Sequence, residues 1–234
     1  MGKERDEVRF CVIIPAYNES RVIGDLVSEI KTAGHDVVVI DDGSSDNTGS
    51  IARDRGAHVL GRSENRGKGA SLKEGFEYAV TKGYDAVIVM DGDGQHDPKE
   101  IGRFLSAARA TDADIIVGNR MGDADSMPWI RKFTNRTLSR FISSVCGQDI
   151  PDTQCGYRLI KSRCLREISL VSSKYETESE ILMRACKARR FKIDSIPIKS
   201  IYGQETSTIH PVKDALRFIR LVITMKLERL FKKK

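Results

Sequence analysis

No run of about eighteen apolar residues occurs anywhere in this chain of 234 residues, which excludes a helix that crosses a bilayer. Met1 to Arg9 are charged and lack the apolar stretch of a secretory signal, so the sequence predicts a protein that stays in the cytosol. Cysteine is scarce. Cys11, Cys146, Cys155, Cys164 and Cys186 are odd in number, scattered and never at C-x-x-C spacing, which predicts reduced thiols and excludes a local zinc or redox motif. Internal repeats and low-complexity linkers are absent, and the length suits one α/β domain, residues 1–210, with a separate segment at 211–234.

Three ligand signatures are also missing. Between Gly61 and Gly67-Lys68 stand five residues rather than the four of a Walker loop, and Gly69 occupies its Ser/Thr position. Gly67-Lys68-Gly69 lacks the third glycine of a dinucleotide fingerprint and does not follow the first strand. A calcium loop starting at Asp91 fails because its sixth position is His96 and its twelfth is Gly102.

What is present is the balance of a globular protein, 40% hydrophobic and 31% charged, with a net charge of +6 that is strongly localised. Residues 213–234 hold eight basic and two acidic side chains, whereas the remainder balances at 31 against 31. Such an excess points to one local contact with something anionic rather than a protein basic throughout, and no nucleic-acid partner is expected. From Pro211, Val212, Ala215, Leu216, Ile219, Val222, Ile223, Leu227, Leu230 and Phe231 recur at helical spacing, predicting a basic amphipathic helix over 211–234. It either packs on the core or lies on an anionic membrane surface.

Short β-branched runs alternate with helical patterns through the first two thirds of the chain, the signature of a mostly parallel sheet. Strands are expected at Val8 to Ile14, Val37 to Asp41, His58 to Leu60, Ala86 to Met90 and Asp114 to Val117. Helices are expected at Ser20 to Ala33, Asn47 to Arg55, Gly69 to Lys82 and Pro98 to Ala110, the last capped by Asp97. A basic helix then follows Met127, a Cys-Gly-Tyr turn leads to helices near Ser162 to Ile168 and Thr177 to Arg189, and a strand covers Phe191 to Ile198.

Polar motifs fall where strands end, which is where open α/β sheets bind ligands. In Asp91-Gly92-Asp93-Gly94-Gln95-His96 two carboxylates one residue apart can enter a single crevice, as hard ligands for magnesium or manganese on a diphosphate, or can form a solvated acidic turn. The segment Asp41 to Thr48 offers a carboxylate for a base or ribose and a cap, Ser45 or Asp46, for the next helix. Pro15-Ala16-Tyr17-Asn18-Glu19 places a ring able to stack on a base beside a carboxylate, although a local turn also explains it. Asn65 to Gly69 reads as a basic turn near phosphates or an ordinary start of a helix. His96 reads as a turn residue or a sugar or phosphate contact rather than a base, and His35, His58 and His210 have no partners at ligand spacing.

In family order across most of the chain, Pro15 to Glu19, Asp41 to Thr48, Asn65 to Gly69, Asp91 to His96, Gly118-Asn119-Arg120 and Asp152 to Arg158 resemble glycosyltransferase family 2, in particular its polyprenyl-phosphate mannose and glucose synthases. The resemblance implies a GT-A type α/β fold, a Rossmann-like and mostly parallel sheet flanked by helices with a C-terminal helical extension. By the same resemblance Pro15, Tyr17, Glu19, Asp42, Lys68 and Asp91 would hold the nucleotide, and Asp91, Asp93 and Gln95 would surround Mg2+ or Mn2+. Asp93, Arg120 and Arg131 would carry catalysis. Arg131 and Asn135 fall near an Arg and a Ser that hold the acceptor phosphate in mannose synthases, Asn135 departing from Ser; Asp152, Gln154 and Arg158 would line the sugar or acceptor side.

The implied activity is inverting transfer of a hexose from a GDP-mannose or UDP-glucose type donor to a polyprenyl or dolichyl phosphate. The enzyme would be peripheral on the cytoplasmic face of a membrane, with room for an integral-membrane partner. An anionic acceptor needs positive charge more than a general base, and Arg120, Arg131, Lys132, Arg136 and Arg140 supply it, the last four on a predicted helix. Two rivals remain: transfer to a soluble or cell-wall hydroxyl with Asp152, Glu176 or Glu178 as base, and a nucleotide-sugar-binding module without turnover.

Overall fold

The computed structural model describes residues 8–122, 127, 129–172, 176–188 and 190–199, without the side chains of residues 130 and 131. The predicted helix over 211–234 lies outside the described residues, so the domain division at residue 210 rests on the sequence. Among the described residues no helix is long and apolar enough to cross a membrane.

One seven-stranded sheet forms the centre, in the order β3-β2-β1-β4-β6-β5-β7. Its left half is parallel: β1 (Phe10–Ala16), β2 (Asp36–Asp41), β3 (His58–Gly61) and β4 (Ala86–Val89). Cys11 to Ile14, Val37 to Ile40 and Ala86 to Val89 are buried without alternation, because helices cover both faces of such a sheet. Helices α1 (Ile23–Thr32), α2 (Thr48–Asp54), α3 (Lys68–Thr81) and α4 (Ile101–Thr111) make the crossovers, α4 preceded by a 3-10 turn, Pro98–Glu100. Asp97 caps that turn as expected, its Oδ1 accepting the Lys99 N–H at 2.9 Å.

The right half carries the surprise. After β5 (Ile115–Asn119) and the long helix α5 (Trp129–Cys146), the segment read as a turn leading into a helix yields a strand, β6 (Arg158–Lys161). β6 runs antiparallel between β4 and β5; only four-residue α6 (Ser162–Leu165) remains of the expected helix. α7 (Glu176–Lys187) and β7 (Ile193–Pro197), parallel to β5, complete the described chain.

Register places the site. β1, β2, β4 and β5 all end at one edge of the sheet, and Arg158, the first residue of the reversed β6, pairs with Val89 and Val117 at that edge. The 152–157 segment therefore arrives beside Met90 to His96 and Arg120.

The cysteines correct the sequence reading of five reduced thiols. Cys146, at the end of α5, and Cys186, near the end of α7, form a disulfide with Cα atoms 5.0 Å apart. Packing of α5 on α7 brings together two residues 40 positions apart, which no local spacing reveals. Cys11, Cys155 and Cys164 are free and buried, and burial pushes each thiol up to about 12, leaving them inert at neutral pH.

Candidate active site

The loops after β1 and β2 are laced into one wall. Asn18 adopts a left-handed backbone (φ 58°); its N–H donates to Ser44 Oγ at 3.0 Å and its Oδ1 accepts the Ser45 N–H at 2.8 Å. The Glu19 N–H donates to Thr48 Oγ1 at 2.8 Å. Asp46 accepts the N–H groups of Thr48 and Ser20 at 3.0 and 3.2 Å, fixing the first turn of α2. Burial opposes its charge, but hydrogen bonds from the side chains of Thr48 and Ser20, together with those N–H groups, outweigh it and hold its carboxyl down at about 2. Asp46 is thus structural, as the sequence suggested. Pro15 sits within β1, while Tyr17 stands at the rim with 46% of its surface exposed, its ring accessible for stacking.

Asp42 is buried and occupied. Its carboxylate accepts from Arg62 Nη1 at 3.0 Å and from the N–H groups of Arg66 and Gly67 at 3.0 and 2.7 Å. Its direct work is to clamp the turn that delivers Lys68, with Gly67 at φ +92°, a backbone that favours glycine.

Lys68 opens α3, and its ammonium lies 2.5 Å from Asp91 Oδ1 and 2.5 Å from Glu178 Oε1. Burial works against the ammonium, but Asp91 and Glu178 outweigh it and raise its pKa above the ordinary lysine value. Burial likewise opposes the Asp91 carboxylate, yet Lys68 holds its pKa well below the usual range. Asp91 Oδ1 is buried and, among the described residues, accepts no hydrogen bond beyond its ion pair. This Asp91–Lys68–Glu178 cluster escaped the sequence reading because 110 residues separate Lys68 from Glu178.

Gly156, in the expected Cys-Gly-Tyr turn, lets the backbone approach this cluster: a Cβ there would lie 2.7 and 2.9 Å from the Asp91 oxygens and 3.0 Å from Lys68 Nζ. Gly156→Ala is therefore expected to leave the fold intact, since side-chain ends yield more readily than backbone, while displacing the carboxylate. Turnover should fall by about tenfold to a hundredfold for a shift of the order of 1 Å, measured as kcat beside an unchanged circular dichroism spectrum.

Asp93 Oδ1 accepts the Gln95 N–H at 3.0 Å, which curls the acidic turn. His96 is the turn residue: buried, it accepts the Asp91 N–H through Nδ1 at 3.1 Å and stacks on Tyr157 with ring centroids 4.9 Å apart. Burial pushes its pKa down to about 4 against the pull of Asp91, so it is neutral at pH 7.

Arg120 is buried and paired with Asp152, Nε to Oδ2 at 2.7 Å and Nη2 to Oδ1 at 3.0 Å. Asp152 is wholly buried and both its oxygens face Arg120, so it orients that arginine. Arg158 is held still more completely. Buried, it donates to the carbonyls of Cys155, Glu178 and Thr153 at 2.7, 2.6 and 2.9 Å, bracing the 153–155 turn against α7. Gln154 Nε2 donates to Thr153 Oγ1 and Ser179 Oγ at 3.2 and 3.1 Å.

Arg131 falls on α5, with its side chain outside the described residues. Asn135, one turn later, is buried with Nδ2 lacking a hydrogen-bond partner among the described residues. The helix has no acidic residue, and Trp129 and Phe133 are 75% and 68% exposed.

The donor set suits a divalent cation: the buried oxygen of Asp91 with Asp93 and Gln95 close in sequence are hard ligands. Among the described residues no three His, Cys, Asp or Glu side chains gather as a cage. One or two carboxylates are what Mg2+ uses when a diphosphate completes its shell.

The seven-stranded sheet, its flanking helices and the loops at one edge make this a GT-A glycosyltransferase fold. Its structure superposes on that of glucosyl-3-phosphoglycerate synthase from Mycobacterium tuberculosis, solved with Mn2+, UDP-glucose and phosphoglyceric acid, with a TM-score of 0.68, covering 94% of this chain and 79% of that one at 17% identity. Residues 11–169 match Glycosyl transferase family 2, and the chain belongs to that family. It is 33% identical over 208 residues to the polyprenol monophosphomannose synthase of Mycolicibacterium smegmatis, covering 83% of this chain and 78% of that protein. It is 29% identical over 216 residues to the UDP-N-acetylglucosamine–dolichyl-phosphate N-acetylglucosaminyltransferase of Methanococcus voltae, covering 82% and 86%.

Proposed function

We propose that this chain transfers a hexose, with inversion, from a nucleotide-diphosphate sugar to a polyprenyl or dolichyl phosphate at a membrane surface. The observation that carries the reading is the engagement of two of the three candidate bases, Asp152 with Arg120 and Glu178 with Lys68, whereas Glu176 at the start of α7 keeps a buried Oε2 with no hydrogen-bond partner among the described residues. An acceptor that arrives already anionic needs no base. The two relatives, which by name act on polyprenol and dolichyl phosphate, support the same acceptor class while differing in sugar.

In this reading Tyr17 stacks on the nucleotide base within the wall built by Pro15, Asn18 and Glu19. Asp91, Asp93 and Gln95 would hold Mg2+ or Mn2+, which when bound offsets the charge of the departing nucleoside diphosphate. Arg120, locked by Asp152, presents its guanidinium without reorganisation, and α5 gathers the acceptor phosphate with Arg131 and Asn135. The exposed Trp129 and Phe133, with Lys132, Arg136 and Arg140 on the same helix, suit an anionic bilayer surface on the cytoplasmic side, and the 211–234 segment adds basic charge there.

The test is incubation of purified protein with polyprenyl phosphate and a panel of labelled nucleotide sugars. A labelled lipid that forms with Mg2+ or Mn2+ and not in EDTA is expected; product on a sugar alcohol but none on lipid phosphate overturns the acceptor. Arg131→Ala should raise the KM for the lipid by about tenfold or more, the worth of one charge-assisted contact, with the donor KM little changed. A donor-side effect alone would place the arginine with the nucleotide.

A further inference from the structure

Lys68 is the nearest cation to the oxygen that a metal would use. Its ammonium stands 2.5 Å from Asp91 Oδ1, and the Gly156 backbone closes over both groups so tightly that a Cβ would touch each. A divalent ion placed on that oxygen would meet a half-buried positive charge at close range, where water screens the repulsion only in part. The backbone at Lys68 is fixed by the Asp42 clamp on Arg66 and Gly67, so what can change place is the long side chain. Glu178, contributed from α7, offers the ammonium a second carboxylate at 2.5 Å.

We propose that Glu178 is a positioning residue that shares Lys68 with Asp91, and that Lys68 guards the Asp91 carboxylate until a nucleoside diphosphate draws the ammonium onto its own oxygens, so that divalent cation and nucleotide bind as a coupled pair. The proposal rests on the reading of Asp91 as a metal ligand. Two carboxylates flank one ammonium in the free protein, leaving a residual negative charge that attracts the cation but a filled position that refuses it. The diphosphate brings anionic oxygens that replace Asp91 as the partner of Lys68. Glu178 weakens the hold on Asp91 by competing for the same ammonium, which makes the release possible.

The measurement is the Kd for Mn2+ from the electron paramagnetic resonance signal of the free ion, with the full chain, without nucleotide and with UDP or GDP. Lys68→Met is expected to bind Mn2+ without nucleotide about tenfold more tightly than the unaltered protein, the effect of one neighbouring like charge removed. Glu178→Gln should weaken it in the Lys68 background yet change nothing in the Lys68→Met background, a cycle that separates action through Lys68 from a general field or a structural role. An unchanged Kd in Lys68→Met, or an equal effect of Glu178→Gln in both backgrounds, overturns the proposal. Should Lys68→Met fail to fold by circular dichroism, Lys68→Gln, which removes the charge and keeps a polar end, serves in its place. Absence of Mn2+ binding to the unaltered protein with either nucleotide would instead overturn the metal reading of Asp91.

Discussion

Asp93→Asn is expected to lower kcat by about three orders of magnitude, the several kcal/mol that a cation contributes to a developing charge, while the melting temperature hardly moves. The two halves of that expectation come from different atoms. Asp93 Oδ1 accepts the Gln95 N–H that shapes the turn, and the asparagine oxygen keeps that acceptor. The lost charge is the one that would face the cation. Turnover at saturating donor, beside a thermal melt, checks both halves; full activity in EDTA or in this variant would sink the metal assignment.

Arg158→Met tests the opposite kind of residue. It strands the carbonyls of Cys155, Thr153 and Glu178 in a buried interior, and at about 1–3 kcal/mol for each unsatisfied group the loss is on the order of 4 kcal/mol even after local relaxation. For a chain of this size that lowers the melting temperature by roughly ten degrees. Urea titration gives the free energy directly. A variant of normal stability with a raised acceptor KM would return Arg158 to the acceptor side.

The fate of Arg158 shows where sequence reading stops. The parallel half was legible because β1, β2 and β4 are apolar on both faces and each ends in a polar motif. Asp91 to His96 could be located at a sheet edge from that pattern alone. β6 was not legible: four residues, Arg-Leu-Ile-Lys, are too few for a period, and their leading arginine reads as a surface charge when its three partners are backbone carbonyls. Partners far apart in sequence were hidden for the same reason. Nothing local says that Asp152 belongs to Arg120, that Glu178 belongs to Lys68, or that Cys146 meets Cys186. The resemblance to glycosyltransferase family 2 points to a set of residues, and the structure shows how they are held: Asp152 on Arg120, Arg158 on three backbone carbonyls, and Lys68 between Asp91 and Glu178.

The disulfide between the far ends of α5 and α7 also acts as a pivot. Both helices are fastened to each other at Cys146 and Cys186, so sliding there is blocked, and any relative movement becomes a fanning of their opposite ends. The lever arms are unequal. At 1.5 Å per residue, Arg131 lies about 22 Å from the pivot along α5 and Glu178 about 12 Å along α7. A rotation of either helix by about ten degrees would sweep the start of α5 through about 4 Å and that of α7 through about 2 Å, amplitudes that follow from those helical lengths. The staple thus assigns the wider swing to the arm that carries Arg131 and the steadier one to the arm that carries Glu178.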